Sequence, residues 1–389
     1  MSHFTRRSRI FITCNKRLSP FLKMEVEALG YTVKDVLSTG LFMEGTLADC
    51  IRLNLNLRTA SQVMYSLKRF ACFDPDGLYR SAREVDWEKV IPADGYFSVS
   101  SNVYHETIRT DMFANVRIKD AIVDVLREKT GKRPDSGPLL DNTVIYLFWK
   151  NDQAELFIDS SGETLAKHGY RKIPGKAPML EALAAANLLA TNWNRQSPMI
   201  NPMCGSGTLA IEAALLATSR MPGLLRNNYA FMHIHGYDHT LYEKEMALLR
   251  AKVREVPGLK IYASDISADA INVSKINAGM AGVENYIEYF QGDFAEAPFP
   301  EEGGGIVIIN PEYGERLGEE AELEETYKRI GDFMKKRCRG YTGYVFTGNL
   351  ELAKKIGLKA SRRIEFFNGK IDCRLLEYEL YSGTKRTSV

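Results

Sequence analysis

The chain has 389 residues, 45% of them apolar and 26% charged, a composition that suits a soluble globular protein of two or three domains. A net charge of +2 excludes a global basic field that would by itself draw in nucleic acid. Six scattered cysteines with no CxxC pair argue against a structural zinc site or a disulfide framework. The amino terminus lacks a signal-peptide core and no apolar run approaches membrane length, so a cytoplasmic protein without a membrane partner is expected.

In chain order, residues 9–13 (RIFIT) alternate like a strand and 20–29 look helical up to Gly30. Residues 31–37 and 40–44 resemble a strand pair, and 46–56 a second helix with Asp49 near its start. The apolar pattern resumes at Ser61 with VMYSLKRFACF, followed by an expected helix over 79–87 and a strand over 96–101. A long amphipathic stretch, 111–129, ends at Gly131 and Pro134. Residues 144–149 and 155–159 then form a hairpin around Asn151-Asp152. Three glycines, two prolines and a basic run mark 160–178 as a linker.

Beyond it the grammar becomes alternating helices and apolar strands, the signature of a doubly wound α/β domain. The expected order is helix 179–193, strand 197–201, helix 208–218, an insertion over 219–257 with a helix near 241–255, and strand 260–264. Helix 268–281, strand 287–291, strand 305–309 and helix 320–337 follow, before strand 343–347, helix 350–356 and a terminal strand pair.

The chemistry collects at strand ends. Asn201-Pro202-Met203-Cys204-Gly205-Ser206-Gly207-Thr208 joins a strand to a helix; its glycines let backbone approach a ligand, and the helix start offers free N–H groups. Ala210 stands where a full dinucleotide fingerprint has its third glycine, and no Gly-Lys-Ser/Thr of a phosphate loop is present, so GxG alone equally suits a tight turn. Asp265 ends the next strand, placed to hold ribose hydroxyls or to cap a helix. Asp293 in Gly-Asp-Phe could accept from an adenine amine with Phe294 flanking the ring, or could be a turn residue. Asn310-Pro311-Glu312-Tyr313 follows the apolar run 306–309. The Asn-Pro step halts pairing and presents an amide, free carbonyls and an aromatic ring, a set suited to a planar group bearing an amine. No metal-ligand cluster is expected.

Together these motifs resemble class I S-adenosylmethionine-dependent amino-methyltransferases. More narrowly, HGYRKIPGKAPMLEALAAANLL, INPMCGSGTLAIEAA, PEYGERLG and NGKIDC resemble bacterial THUMP-domain RNA methyltransferases of the 23S rRNA guanine-N2 type, over essentially the whole chain. The resemblance implies a ferredoxin-like α+β piece (1–60), a THUMP RNA-binding module (61–160), a linker (161–178) and a Rossmann-like class I methyltransferase domain with a mostly parallel sheet (179–389). It implies S-adenosylmethionine as cofactor, held by the lead-in segment with Pro178, by Pro202, Cys204, Gly205, Gly207 and Thr208 at the methionine moiety, by Asp265 and Ile266 at the ribose, and by Asp293 and Phe294 at the adenine. Asn310 and the Pro311 carbonyl would accept the amine's protons while Tyr313 stacks on the base.

Glu312 departs from the family's tetrapeptide, which has a second proline there. Its carboxylate either accepts from guanine's Watson–Crick edge, which adenine would not offer, or points away or pairs with Arg316. The RNA partner, 23S rRNA or alternatively tRNA, would meet basic positions Arg127, Lys129, Lys132 and Arg133 in REKTGKR and Lys167, Arg171 and Lys172 in the linker, which also carries His168 and Tyr170. Taken alone, each basic cluster reads as a solvated face. An adenine-N6 DNA methyltransferase and a binding-only RNA chaperone are the rival readings, and oligomeric state is left open.

Overall fold

The computed structural model describes residues 2–108, 110–173, 178–301, 303–313 and 320–381. The chain divides into two compact units: residues 1–15, 22–166 and 222–251 form the first, and 16–21, 167–221 and 252–389 the second.

The first unit is built on strands β1 (Ser8–Cys14), β2 (Val33–Leu37), β3 (Gly40–Gly45), β4 (Ala60–Ala71), β5 (Tyr96–Tyr104), β6 (Asp135–Ser136), β7 (Thr143–Lys150) and β8 (Gln153–Asp159). They form one sheet in the order β2-β3-β1-β4-β8-β7-β5-β6. Helices α1 (Ser19–Ala28), α2 (Leu47–Asn56), α3 (Pro75–Arg83) and α4 (Asp111–Thr130) interleave with these strands along the chain. Local chemistry sets the boundaries. Thr46 and Asp49 close a reciprocal capping box at the start of α2. Asn151, at φ 51°, makes the two-residue turn between β7 and β8 that its neighbours Lys150 and Gln153 pair across. The helix expected over 79–87 starts earlier, at Pro75. Asp74 caps it by accepting from the Gly77 N–H, and Pro75 fills the first-turn position where no donor is needed.

The segment read as a linker is not an exposed tether. Ser160, Ser161, Leu165, Ala166, His168 and Tyr170 are all buried. Within the first unit the Ser160 N–H donates to the Val63 carbonyl and the Leu165 N–H to the Ser61 carbonyl. The insertion also turns out differently. Its residues 222–251, which carry most of a helix placed at His239–Lys252 (α7) rather than 241–255, group with the first unit. There the Asn228 amide donates to the Asp141 carbonyl and the Thr143 hydroxyl to the His233 carbonyl.

The second unit has the expected alternation: α5 (Glu181–Ala190), β9 (Met199–Pro202), α6 (Thr208–Ala217), β10 (Ile261–Asp265), α8 (Ala268–Ala281), β11 (Ile287–Gln291), β12 (Ile306–Ile309), α9 (Glu320–Arg337), β13 (Thr342–Thr347), α10 (Leu350–Lys355), β14 (Arg362–Asn368) and β15 (Ile371–Glu379). Helix α5 is shorter than the 179–193 expected. The strand order is β11-β10-β9-β12-β13-β15-β14, parallel except at β15 and β14. Strand β12 reads Ile-Val-Ile-Ile because parallel partners flank it and every residue is buried. Helix α6 is buried at all ten positions, which explains its Ala/Leu-rich, non-amphipathic sequence.

Candidate active site

Successive strands run outward from β9 to β10 and β11 on one side, and to β12 and β13 on the other. The order therefore reverses between β9 and β12, and loops at the carboxyl ends of these strands open a crevice there. At this reversal the Asn201 amide donates to the Ile308 carbonyl at 3.0 Å, tying β9 to β12.

The loop after β9 is shaped by backbone that side chains rarely tolerate. Met203, Gly205 and Gly207 have φ of 55°, 54° and 80°. A Cβ on Gly207 would run into the Ser274 hydroxyl, so glycine is needed there for both space and conformation. Gly205 instead borders open space, as a loop must where backbone approaches a ligand. Its N–H donates to Asp265 Oδ2 at 2.9 Å, while Asp265 Oδ1 accepts from the Ser267 N–H at 3.0 Å. Asp265 is not the cap of α8, a role taken by the Ser267 hydroxyl, which accepts from the Ala270 N–H; the Asp265 carboxylate instead organises both loops, and each oxygen keeps a second lone pair. Pro202 and Thr208 are buried, Pro178 is exposed, and burial pushes the Cys204 thiol far above its ordinary range, leaving it chemically inert.

Next to this loop lies a cleft of about 130 Å³ lined by Met203, Asp265, Ile266, Gly292, Asp293, Phe294, Thr326 and Arg329. Ile266 is 75% exposed, an apolar side chain held open at the rim, as a planar aromatic ligand would require. Phe294 is mostly buried, edge-on to Phe333, so it floors the cleft more than it flanks it. Asp293 is engaged: Oδ2 pairs with Arg329 at 2.6 Å and Oδ1 accepts from the Ala295 N–H. Burial opposes ionisation, but these two partners hold the Asp293 carboxyl below its usual range. It is an anionic acceptor across neutral pH, with lone pairs left for an amine.

One strand over, Asn310 follows β12. Its Oδ1 is buried and has no hydrogen-bond donor among the described residues. Such an acceptor costs about 1–3 kcal/mol when left unpaired. Tyr313 is partly buried, its phenol oxygen accepting from the Asn368 amide at 2.9 Å. Burial pushes that phenol up to about 12, so it is a neutral ring and not a base at physiological pH. Glu312 is exposed. Its suggested partner Arg316 lies outside the described residues, as does most of PEYGERLG.

The basic positions are sorted by their contacts. Arg127, Lys132 and Arg133 in the first unit are exposed and make no ion pair among the described residues. Lys129 differs, pairing with Asp86 and Glu88. In the second unit Lys167 and Lys172 are exposed. Arg171 is a correction: its guanidinium is turned inward, donating to Glu181, the Met179 carbonyl, the Ser206 hydroxyl and the Thr208 hydroxyl. It braces the glycine loop and has no free face for a phosphate. His168, also read as part of a basic surface, is fully buried with its Nδ1 2.7 Å from Glu212.

Arg329 and Thr326 were missed by sequence reasoning because they lie on a remote helix with no local motif, and Asn368 lay inside NGKIDC, which carried a resemblance but no residue role. Met203 sat inside a motif, but only its backbone conformation shows why it lines the cleft.

The sequence matches RMKL-like methyltransferase domains over residues 168–377, the RlmL ferredoxin-like domain over 9–64 and the THUMP domain over 73–159. A curated relative, "Ribosomal RNA large subunit methyltransferase K/L" of Syntrophotalea carbinolica, is 35% identical over 383 residues, covering 96% of this chain and 53% of that protein. The chain thus spans about half the length of the curated relatives it matches. A solved structure from Listeria monocytogenes, titled a "predicted N6-adenine-specific DNA methylase", is 30% identical with a TM-score of 0.86, covering 96% of this chain and 97% of that one. Another, solved in complex with SAH, shares the fold at 24% identity and a TM-score of 0.88, covering 98% of this chain and 100% of that one. Since the first of these matches takes in more than half the chain, including the whole crevice, the chain belongs to the family of RMKL-like methyltransferase domains.

Proposed function

We propose that the chain is an S-adenosylmethionine-dependent RNA methyltransferase acting on the exocyclic N2 amine of a guanosine in 23S rRNA. The carrying observation is the buried Oδ1 of Asn310, without a donor among the described residues, at the end of β12, the strand paired with the β9 whose loop residue Met203 lines the cleft. Other buried amide oxygens, such as those of Asn54 and Asn187, also lack a donor among the described residues; what sets Asn310 apart is its place after β12 in the Asn-Pro-Glu-Tyr motif, where a ligand amine would supply the missing donor.

The residues present fit the cofactor. The Gly205 backbone leaves room for its methionine end, Asp265 has lone pairs for ribose hydroxyls, and Ile266 with Asp293 suits an adenine bearing an amine. When bound, S-adenosylmethionine supplies an electrophilic methyl group. Asn310 Oδ1 and the Pro311 carbonyl accept from the target amine and aim its lone pair. Because the amine nitrogen becomes positive as the bond forms, these acceptors bind the transition state more strongly than the ground state. The raised phenol of Tyr313 leaves it the role of a stacking surface for an unstacked base. Nothing here calls for a covalent enzyme intermediate, and the nearby Cys204 thiol is buried.

Mass-spectrometric mapping of modified nucleosides in a deletion strain tests the reading. Loss of N2-methylguanosine from 23S rRNA is expected. Loss from tRNA would move the substrate, and loss of N6-methyladenine from DNA would favour the activity in the Listeria protein's name. Unchanged modification alongside tight RNA binding would favour a binding-only protein.

Two finer expectations attach to this reading. Glu312, exposed after Pro311, accepts from the guanine N1–H beside the target amine, so Glu312→Pro keeps methyl transfer but relaxes guanine preference. Unaltered base selectivity in competition assays would remove that role. Arg127, Lys132 and Arg133 contact phosphates, so reversing the charges of Lys132 and Arg133 weakens RNA binding and flattens its salt dependence by about one unit of slope per lost contact. A wild-type salt slope would count against it.

A further inference from the structure

The motif ring is not held by its own loop. Tyr313 lies against β13, β14 and β15, which follow it in the chain; from β15 the Cys373 Sγ makes a weak contact with the phenol oxygen at 4.0 Å. The Asn368 amide, at the end of β14, donates to its phenol oxygen at 2.9 Å. Phe346 of β13 meets it edge-on, with ring centroids 6.3 Å apart and planes at 70°. Gly348, just past β13, leaves the ring its place: a Cβ there would sit 3.0 Å from Tyr313 Cδ2 and Cε2. Gly348 has no positive φ, and a Cβ there would also meet Ile371 Cγ2 at 2.6 Å, so glycine is required for space and not for backbone conformation.

The hydrogen bond has a specific consequence. Phe346 and Gly348 restrict where the ring sits, but neither contact is directional enough to set rotation about the Cα–Cβ bond. A donor fixed at the far end of the side chain does so, because the phenol oxygen is the ring's longest lever. Asn368 can act this way because β14 and β15 pair in register up to Asn368 and Ile371 across the tight turn at Gly369, φ 60°. The donor therefore sits on a sheet-anchored strand end, not on a free loop.

The geometry points to Asn368 as a positioning residue of the methyl-transfer site, one that presets the plane on which the target base stacks. This role rests on the function proposed above. Asn368 is not among the residues that line the cleft; it acts through Tyr313. It also gives the NGKIDC segment, whose first residue it is, a reason to belong with the Asn-Pro-Glu-Tyr motif far from it in sequence.

The test is a double-mutant cycle on the full chain. Asn368→Ala removes the bond alone and Tyr313→Phe removes it together with the weak Cys373 contact, both keeping an aromatic ring at position 313. Each is expected to lower kcat for RNA methylation on the order of fivefold to tenfold, with cofactor Kd by calorimetry unchanged. The double variant should be no slower than either single. Multiplying effects, or a loss that appears only in cofactor Kd or in melting temperature, would overturn the proposal. A readout independent of RNA accompanies it: fluorine NMR of protein carrying 3-fluorotyrosine, with the Tyr313 resonance identified by its loss in Tyr313→Phe. That resonance should shift and change width in Asn368→Ala, and a resonance identical to wild type would overturn the proposal. If the wild-type protein methylates no RNA, the functional reading fails. An NMR change would then show that Asn368 fixes the ring for some other stacked ligand, and its absence would still refute the positioning role.

Discussion

Asn310→Ala is expected to lower methyl transfer by about 10²–10³-fold while S-adenosylmethionine affinity stays within about twofold of wild type. The size follows from the kind of interaction lost. In the proposed reaction the Oδ1 acceptor would face a nitrogen that gains positive charge, so its contribution would grow toward the transition state and appear in kcat. Cofactor affinity is spared because the cleft is lined from the ends of β9, β10 and β11 and from α9, with no contribution from Asn310. The same substitution should leave the melting temperature unchanged or raise it, since it removes a buried acceptor that has no donor among the described residues. Radiolabelled methyl transfer, calorimetry and thermal unfolding check the three parts. Turnover within tenfold of wild type would refute the role given to Asn310, and a sharply lowered melting temperature would make it a structural residue.

The second large effect is on the cofactor side. Asp265→Ala is expected to weaken S-adenosylmethionine binding on the order of 10²-fold, about 2.7 kcal/mol. Two carboxylate bonds to backbone N–H groups disappear, from Gly205 and from Ser267, and with them the lone pairs offered to the ribose. The loop after β9 would then lose its tie to β10 on one side while Arg171 still braces it through Ser206 and Thr208. Asp265→Asn can still accept at one oxygen and should fall between wild type and alanine. Calorimetric titration with the cofactor distinguishes these outcomes, and a Kd within threefold of wild type for the alanine variant would mean that Asp265 serves only the loop. The contrast with Asn310 is diagnostic: one substitution should move kcat alone, the other binding.

The division between what was legible in the sequence and what was not follows the range of the forces involved. Strand and helix types in the second unit could be read because burial imposes local periodicity: Ile306 to Ile309 are all apolar since both flanking strands are parallel. Asn-Pro after that strand, GxG before α6 and the acids ending β10 and β11 could be read because each is a local device at a strand end. Residue roles that depend on distant partners could not. Arg171 looks like surface charge until Glu181, Ser206 and Thr208 are seen around it, and His168 until Glu212 is. Nothing local to residues 222–251 says that they return to pack with the first unit. The chain's order of residues by itself determined the doubly wound sheet and the motifs along its edge. The folded structure was needed to show which charges are consumed internally, that Asn310 carries a buried acceptor with no donor among the described residues, and that Asn368 bonds Tyr313. Those outcomes depend on side-chain contacts between residues far apart in sequence, which no local pattern encodes.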